Sequence, residues 1–407
     1  MKEIGKIRKI TYRYMLVTLG FLSAFGPFVT DMYLPALPSL SKDFDTTNSL
    51  TQLSLTMSML GLAIGQILIG TVSDKYGRRR LLVGSLIMYI LATIGCIFSK
   101  DIMFFNCMRL FQGLAGAGGI VLSRSIATDM YSGERLTRFI SMIATVNGIA
   151  PVVAPVIGGL LLSVTNWQGI FWVLLLIGVI LLLLSLRLRE SLPVSARLQS
   201  SVFASFKSYK HLIHNRTYVI HFLIYMFSAF VLFTYISSST FILQDVYKMS
   251  SIMFSICFAI NALSIGFGCS LAGRMHGRNS IRLGGIIICV AALLGVFTLN
   301  FMHSVVMVEA NFILIVFGFG LLQPVPTALA LDSERQNAGV ASAAIGASGF
   351  VMGSIAAPIT GMGDILRTTS IMFVTGAVLT VIAVVFSLMQ KRPLPISEHS
   401  AAGDGKN

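Results

Sequence analysis

Charged side chains are scarce in this chain of 407 residues, and acidic ones are the scarcest. Only 11% of the residues are charged, whereas a soluble domain carries about 25%. There are 16 acidic residues against 30 lysines and arginines, and 55% of all residues are hydrophobic. The shortage of charge excludes an ordinary soluble protein and predicts a chain that crosses a membrane many times.

The sequence also lacks the patterns of several enzyme and cofactor sites. Its five cysteines all lie in apolar runs without metal-ligand spacing, so we interpret them as small packing residues. His211 and His214 stand in a basic segment without further ligands. No Gly-x4-Gly-Lys-Ser/Thr loop is present, which argues against ATP-driven transport. We therefore expect no enzyme activity, no metal site and no cofactor.

Apolar runs of about 20 residues recur along the chain, and each can cross a hydrocarbon core of about 30 Å. The longest polar segment, 187–216, separates six such runs from six. The basic start of the chain precedes a long apolar run without a small-residue cleavage site, which predicts a retained first helix rather than a signal peptide. The predicted spans are 12–34, 48–70, 80–98, 102–125, 138–162, 166–186, 217–241, 250–272, 281–301, 304–328, 338–361 and 365–389.

The fold class that follows is an all-α membrane protein with twelve transmembrane helices. It divides into an N-terminal six-helix half at 1–186, a central loop at 187–216, a C-terminal half at 217–390 and a tail at 391–407. The tail is polar and contains glycine and serine, so we expect it to be disordered.

The basic residues are distributed unequally between the two sides of the predicted spans. With the N terminus inside, 25 of the 30 lysines and arginines fall on the cytoplasmic side, and Arg109 falls within a span. Clustered Lys and Arg in short loops mark the cytoplasmic side of a membrane protein. The basic excess therefore indicates topology rather than nucleic-acid binding, and both termini are expected in the cytoplasm. The four outside are Lys42, Lys100, Lys248 and Arg367.

The short loop 70–82, GTVSDKYGRRRLL, holds four basic residues against a single acid. Its spacing Gly-x3-Asp-Lys-x-Gly-Arg-Arg resembles the loop signature of the major facilitator superfamily. In that family the loop between helices 2 and 3 latches the two halves together on the cytoplasmic side. From the residues alone, a generic basic loop remains the alternative. The resemblance assigns the latch to Gly70, Asp74, Gly77, Arg78 and Arg79.

The end of span 1 resembles a more specific group, the bicyclomycin-resistance (Bcr/CflA) drug:proton antiporters. Residues 30–38 read TDMYLPALP, similar to the Asp-x-Tyr-Leu-Pro-x-x-Pro segment that closes helix 1 in that group. Pro35 and Pro38 are predicted to stop the helix. Asp31 would face the negative end of the helix dipole while partly removed from water, and both effects disfavour ionisation. We predict a proton-carrying group, with an interfacial aspartate in outside water as the alternative.

Span 4 contains Arg109 about eight residues from its start, where a charge costs several kcal/mol unless it is paired or hydrated. Its Arg-x-x-Gln-Gly spacing resembles the family's helix 4 signature, which implies a role in proton coupling; a snorkelling arginine is the alternative. The span closes on a segment similar to Arg-Ala-x3-Asp. That resemblance implies an ion pair between Asp129 and Arg78, and an ordinary interfacial charge is the alternative.

Span 5 contains two prolines four residues apart, followed by two adjacent glycines. The pattern resembles the antiporter signature Gly-x3-Gly-Pro-x3-Gly-Gly, which is associated with exporters. This chain departs from it at Ala154, where the signature has glycine. A proline-kinked structural helix is the alternative. The residues concerned are Gly148, Pro151, Pro155, Gly158 and Gly159.

Aromatic and methionine side chains in several spans could line a cavity for lipophilic molecules. Glu309 is the main polar feature of the second half, and the sequence leaves it open between an interfacial and a functional acid. The predicted cavity residues are Phe25, Tyr33, Met57, Gln112, Tyr225, Phe230 and Phe233.

These features together predict a monomeric proton-coupled exporter of small drug-like molecules in a bacterial inner membrane. Its partners would be the small molecule, protons and the lipid bilayer, with no nucleic acid. A narrow exporter of one metabolite on the same fold is the first alternative. A non-transporting receptor or scaffold is the second, and it leaves the costly intramembrane charges Asp31 and Arg109 unexplained.

Overall fold

The structure is a computed structural model that describes residues 14–131, 133–197, 211–302, 304–334 and 338–390. The predictions for the basic start of the chain, for the middle of the central loop and for the tail after residue 390 lie outside the described residues.

Within these ranges twelve long helices follow one another in two groups of six. Eleven of them are long and apolar enough to cross a membrane, and the other has an apolar portion at Ile149–Leu162. The helices are α1 (Tyr14–Asp43), α2 (Asn48–Tyr76), α3 (Arg78–Ile97), α4 (Ile102–Met130), α5 (Gly133–Leu162), α6 (Trp167–Leu186), α7 (Arg216–Val246), α8 (Ser251–Arg274), α9 (Gly277–Asn300), α10 (Val305–Ser333), α11 (Ala338–Thr360) and α12 (Ile365–Met389).

α1 is the helix whose course differs most from its predicted span. α-Helix at 14–23 and at Phe25–Asp31 ends near the predicted stop, but a 3-10 turn at Leu34–Ala36 and a further helix at Leu37–Asp43 follow. Pro35 and Pro38 lie in the first turns of these two segments. The first turn of a helix tolerates the missing N–H, so the prolines interrupt α1 and then start it again.

One apolar core lies within α1–α6, and a larger one extends through both halves, while large apolar side chains cover the outer helix faces. The core of α1–α6 includes Leu22, Tyr89 and Phe139 without exposed surface or nearly so. By contrast, Leu91 and Leu293 on the outer faces are 63% and 61% exposed. Such apolar faces suit contact with lipid.

One end of the bundle, which we call the basic end, is rich in arginine. The link between α2 and α3 lies there beside the start of the central loop, and arginines from both line one surface pocket. We call the other end of the bundle, where α2 begins and α11 finishes, the opposite end. The arginines of the pocket are Arg79, Arg80, Arg187, Arg189 and Arg197.

The N-terminal half (α1–α6) and the C-terminal half (α7–α12) are joined by hydrogen bonds at the opposite end. The Thr360 hydroxyl of α11 donates to the Gln52 amide oxygen of α2 at 2.6 Å. It also lies 3.1 Å from the Ser237 hydroxyl of α7. The Gln244 amide donates to the backbone oxygen of Pro35 at 3.1 Å. In the described ranges, the hydrogen bonds between the halves thus hold the opposite end closed.

Candidate functional site

Arg109 is the largest fully buried side chain among the described residues. It lies in α4, roughly 10 Å along the axis from the first residue of that helix. Its guanidinium donates to the backbone oxygen of Val29 in α1 at 3.0 Å and to the amide oxygen of Gln112. Gln112 donates in turn to the hydroxyl of Thr93 in α3 at 2.8 Å. This one charged side chain therefore links three helices of the N-terminal half.

Aromatic rings complete the surroundings of Arg109. Its Cζ lies 4.1 Å from the ring centre of Tyr33 and 5.7 Å from that of Phe171, and a cation over an aromatic face is attracted to it. The Tyr33 hydroxyl pairs with that of Ser54 in α2 at 3.2 Å. Across the described ranges, no carboxylate forms an ion pair with Arg109. The snorkelling alternative is wrong, because the side chain has no exposed surface.

Asp31 is the last residue of the helical segment Phe25–Asp31 of α1 and is only 7% exposed. Its Oδ1 accepts a hydrogen bond from the Thr30 hydroxyl at 2.8 Å. The Arg109 guanidinium bonds to Val29, two residues earlier on α1, and not to the Asp31 carboxyl. Arg109 of α4 therefore binds the same segment of α1 that carries Asp31, but the two predicted coupling side chains do not bond to each other.

At the basic end, Arg78 binds two acids at once. Its guanidinium lies 2.6 Å from Asp74 and 3.1 Å from Asp129, and it also donates to the Ser73 hydroxyl. Arg78 and Asp129 thus form the ion pair that the family resemblance implies. Asp74 is also expected to face the start of α11, but 335–337 lie outside the described residues, so that contact stays a prediction.

Glu190 is a member of this cluster that the sequence analysis missed. Its carboxylate accepts the backbone N–H of Arg78 at 2.8 Å and that of Arg79 at 3.3 Å. These are the first N–H groups of α3, which have no partner within the helix and attract an anion. Gly77 has φ +99°, and a Cβ there would collide with the Glu190 carboxylate. The sequence offered one signal for this role: Glu190 is the single acid in the basic central loop 187–216.

α5 carries the residues of the predicted antiporter motif on one continuous helix. A Cβ at Gly158 would overlap the backbone oxygen of Met32 in α1, and one at Gly159 would overlap Ser255 of α8. Gly158 thus lets α5 pack closely on α1 of its own half, and Gly159 lets it pack closely on α8 of the other half. The motif residues on α5 are Gly148, Pro151, Pro155, Gly158 and Gly159.

Three predicted cavity residues lie inside the N-terminal half instead of between the halves. Phe25, Tyr33 and Gln112 are fully buried or nearly so. Phe25 packs 4.3 Å, centre to centre, from the Tyr89 ring of α3, while Tyr33 and Gln112 surround Arg109. The structure differs here from the predicted cavity, because α1 and α4 turn these side chains toward their own bundle.

The other predicted cavity residues are partly exposed, and two of them lie between the halves. Gly353 of α11 packs against Phe233 of α7 and Met59 of α2. Tyr225 of α7 faces Arg124 of α4 closely enough for the charge to act on its phenol. Phe230 instead packs on Gly376 of α12 within the C-terminal half. Met57 of α2 is partly exposed.

The C-terminal half contains a polar cluster around Glu309 of α10. The Asn261 side-chain amide of α8 donates to Glu309 at 2.8 Å and to the Tyr235 hydroxyl of α7 at 2.9 Å. Asn261 lies about 15 Å along α8 from its first residue. Its contact joins Glu309 to a cluster with α7 and α8, while Glu309 itself is partly exposed and lies four residues after the start of α10; the interfacial and the functional interpretations both remain predictions. Sequence spacing did not connect these three residues, since they come from three separate helices.

Comparison with known proteins yields relatives along almost the whole chain. The uncharacterized MFS-type transporter YdgK of Bacillus subtilis is 36% identical over 91% of this chain and 92% of its own length. A bicyclomycin resistance protein homolog of Haemophilus influenzae is 25% identical, covering 95% and 98% of the two chains. The multidrug resistance protein MdtL of Salmonella paratyphi C is 26% identical, covering 82% and 84%.

The fold is shared with a solved transporter of low sequence identity. The xylose transporter XylE from E. coli, in a partially occluded inward open conformation, superposes with a TM-score of 0.71 at 13% identity. The match covers 92% of this chain and 96% of XylE. The sequence profile described as Major Facilitator Superfamily matches residues 19–358. The chain therefore belongs to the Major Facilitator Superfamily and is a multi-pass membrane transporter with its twelve-helix fold.

Proposed function

We propose that this transporter exports small drug-like molecules across the bacterial inner membrane in exchange for protons. The observation that carries the proposal is the buried carboxyl of Asp31 at the interruption of α1. A carboxyl there can hold or release a proton within the membrane, which exchange requires. Relatives whose names refer to bicyclomycin and multidrug resistance support drugs as the exported class.

The orientation in the membrane follows from charge. The arginines of the basic end argue that this end faces the cytoplasm, because short basic loops are retained on that side. Both termini then lie in the cytoplasm, and the hydrogen bonds of the opposite end close the molecule toward the outside. The described structure would accordingly be a state that receives its substrate from the cytoplasm.

The division of roles between Asp31 and Arg109 follows from their contacts. Among the described residues, the Asp31 side chain has one hydrogen bond, from Thr30, so it can take up or lose a proton without breaking a network there. Arg109 holds the backbone of α1 at Val29. Its fixed positive charge favours loss of the Asp31 proton when the two approach, as charges of opposite sign stabilise each other. Movement of α1 about its interruption would bring about that approach.

The decisive experiment measures proton movement on addition of drug. Everted membrane vesicles from an efflux-deficient host that expresses the transporter are energised, and a panel of lipophilic antibiotics is added while the internal pH is recorded. An antiporter dissipates the pH gradient with its substrates, whereas vesicles from the empty host do not respond. A response to only one compound class would favour the narrow exporter, and no response to any compound would overturn the proposal.

A further inference from the structure

Corresponding helices of the two halves carry corresponding polar clusters. The first, second and fourth helices of the N-terminal half are α1, α2 and α4, and those of the C-terminal half are α7, α8 and α10. Each set supplies a tyrosine, a small polar residue bonded to its hydroxyl, and one charged residue beside them. The sets are Tyr33, Ser54 and Arg109 in one half, and Tyr235, Asn261 and Glu309 in the other.

The two clusters differ in the sign of their charge. In the N-terminal half, the protein itself supplies a planar cation, since the Arg109 guanidinium lies against the rings of Tyr33 and Phe171. In the C-terminal half, rings from α8 and α10 surround the corresponding tyrosine: Tyr235 lies 5.7 Å from Phe258 and 5.2 Å from Phe312, centre to centre. The charge beside these rings is an acid.

Two acceptor atoms of the cluster around Glu309 receive no hydrogen bond from the described residues. Oε2 of Glu309 and Oδ1 of Asn261 are both buried and have no hydrogen-bond partner. Asn261 has no exposed surface, whereas Glu309 retains some. The Cys257 thiol is near Glu309, but a thiol is a weak donor. No lysine or arginine of the described ranges pairs with Glu309.

We infer that the cluster of Tyr235, Asn261 and Glu309 binds the protonated amine of a cationic substrate. An ammonium group supplies donors to the two vacant acceptor oxygens and a positive charge to the carboxylate. The rings of Tyr235 and its neighbours attract the same cation through their faces. Oε2 of Glu309 has no exposed surface in this state, so a ligand reaches it when the side chain moves; part of the residue is already exposed, unlike Arg109. The inference rests on the proposed export function and narrows its substrate class to molecules that carry a basic amine.

The test compares two ligands that differ at this amine, which is charged in one and converted to a neutral amide in the other. Purified full-length protein is equilibrated by dialysis with radiolabelled puromycin, which has a free primary amine, or with N-acetylpuromycin, which is neutral there. We expect the wild type to prefer puromycin. Glu309→Gln should weaken puromycin binding about tenfold or more, as expected for loss of a hydrogen bond to a charged group. It should change binding of the acetylated compound less than about twofold.

Two further variants separate the local charge from general effects. Glu309→Asp keeps the carboxylate and should retain the preference for puromycin. Asp245→Asn removes an acid from the outer end of α7 in the same half and should leave both affinities unchanged.

Three outcomes would overturn the inference. The wild type could bind the two compounds equally, it could bind neither, or Glu309→Gln could weaken both to the same extent. Binding needs no proton gradient and no transport, so these outcomes do not depend on the proposed antiport. The vesicle measurement decides that question separately.

Discussion

At the scale of the residue, burial of charge inside a membrane protein points to function. The transporter keeps a carboxyl at Asp31, a guanidinium at Arg109 and a carboxyl at Glu309 within helices that are otherwise apolar. A charge at such depth costs several kcal/mol unless it is paired, hydrated or neutralised. Each of these side chains has hydrogen-bond partners but no partner of opposite charge in the described ranges, so each remains free to respond to a proton or a ligand.

Asp31→Asn should abolish proton-driven export while leaving membrane insertion intact. The amide has nearly the same shape and can still accept the hydrogen bond from Thr30, but it cannot release a proton. Drug-dependent proton movement and drug uptake in everted vesicles measure the effect. Asp45→Asn is a suitable control, because it removes an exposed acid from the loop after α1. The backbone of Asp45 has φ +46°, which asparagine tolerates. Unchanged uphill export by Asp31→Asn would put the coupling site elsewhere.

Arg109→Lys should retain part of the transport activity, and Arg109→Ala should retain none. Lysine preserves the positive charge but cannot reproduce the planar fork that reaches both Val29 and Gln112. Alanine removes the charge and also leaves the Gln112 amide oxygen without its donor. Transport rates per inserted molecule, measured in vesicles with equal amounts of each variant, give the ranking. Normal export by Arg109→Ala against a proton gradient would reduce this residue to a structural role.

At the scale of the element, the start of α3 depends on a contact with a distant loop. Glu190 accepts the first two N–H groups of α3, while Gly77 adopts a backbone conformation with φ +99° that only glycine enters readily. The carboxylate lies where a Cβ of residue 77 would stand. The central loop therefore stabilises the α2–α3 link in the same place where Arg78 holds Asp74 and Asp129.

Gly77→Ala should lower thermal stability, since alanine at this φ costs about 1–3 kcal/mol and its methyl group displaces Glu190. The melting temperature of the detergent-purified protein is the measurement. Gly84→Ala within α3 is the matched control, because a Cβ at that position would meet no other atom within 4 Å. That control should be neutral or slightly stabilising, as alanine favours a helix by about 1 kcal/mol over glycine. Equal melting temperatures for Gly77→Ala and the wild type would contradict the capping role.

At the scale of the whole molecule, few hydrogen bonds join the two halves across the described ranges, as a transporter that alternates between states requires. The bond from Thr360 to Gln52 joins α11 to α2, and the bond from Gln244 to Pro35 joins α7 to α1. A hydrogen bond contributes about 0.5–1.5 kcal/mol net. These contacts can favour the state in which the opposite end is closed and still allow that end to open.

Thr360→Val should shift the population toward opening at the opposite end by about two- to tenfold, in line with the loss of one such hydrogen bond. Spin labels at Lys42 and Met362, both exposed and on different halves, report the distance between the halves in a background without the native cysteines. Thr380→Val is the control, since that hydroxyl donates within α12, to the backbone oxygen of Gly376. An unchanged distance distribution in Thr360→Val would exclude this bond from the closure.

Asp74→Asn should slow transport without preventing insertion, because the basic residues that orient the loop remain. In the described state Asp74 is about half exposed and pairs with Arg78. The predicted partner in the other half is the positive start of α11, which favours an anion. Transport rates and surface-labelled amounts of the variant are compared with those of the wild type. A well-inserted Asp74→Asn protein with wild-type rates would remove the latch from the transport cycle.

The sequence by itself determined the number of spans, the basic end and the family of this transporter. Length and hydropathy are local properties, and a stretch such as Trp167–Leu186 must cross a membrane whatever surrounds it. The residues of the loop at 70–82 and of the end of α1 lie close together along the chain, so their spacing could be recognised before any packing was known.

Only the tertiary structure decided which polar groups meet. Asn261 and Glu309 are 48 residues apart, and Glu190 reaches a helix that begins 112 residues before it. The same packing turned Tyr33 and Gln112 toward Arg109 and away from the space between the halves. The direction of a side chain in a bundle depends on how its helix is rotated against its neighbours. That rotation is set by close contacts such as those of Gly158 and Gly159, which no pattern along one helix specifies.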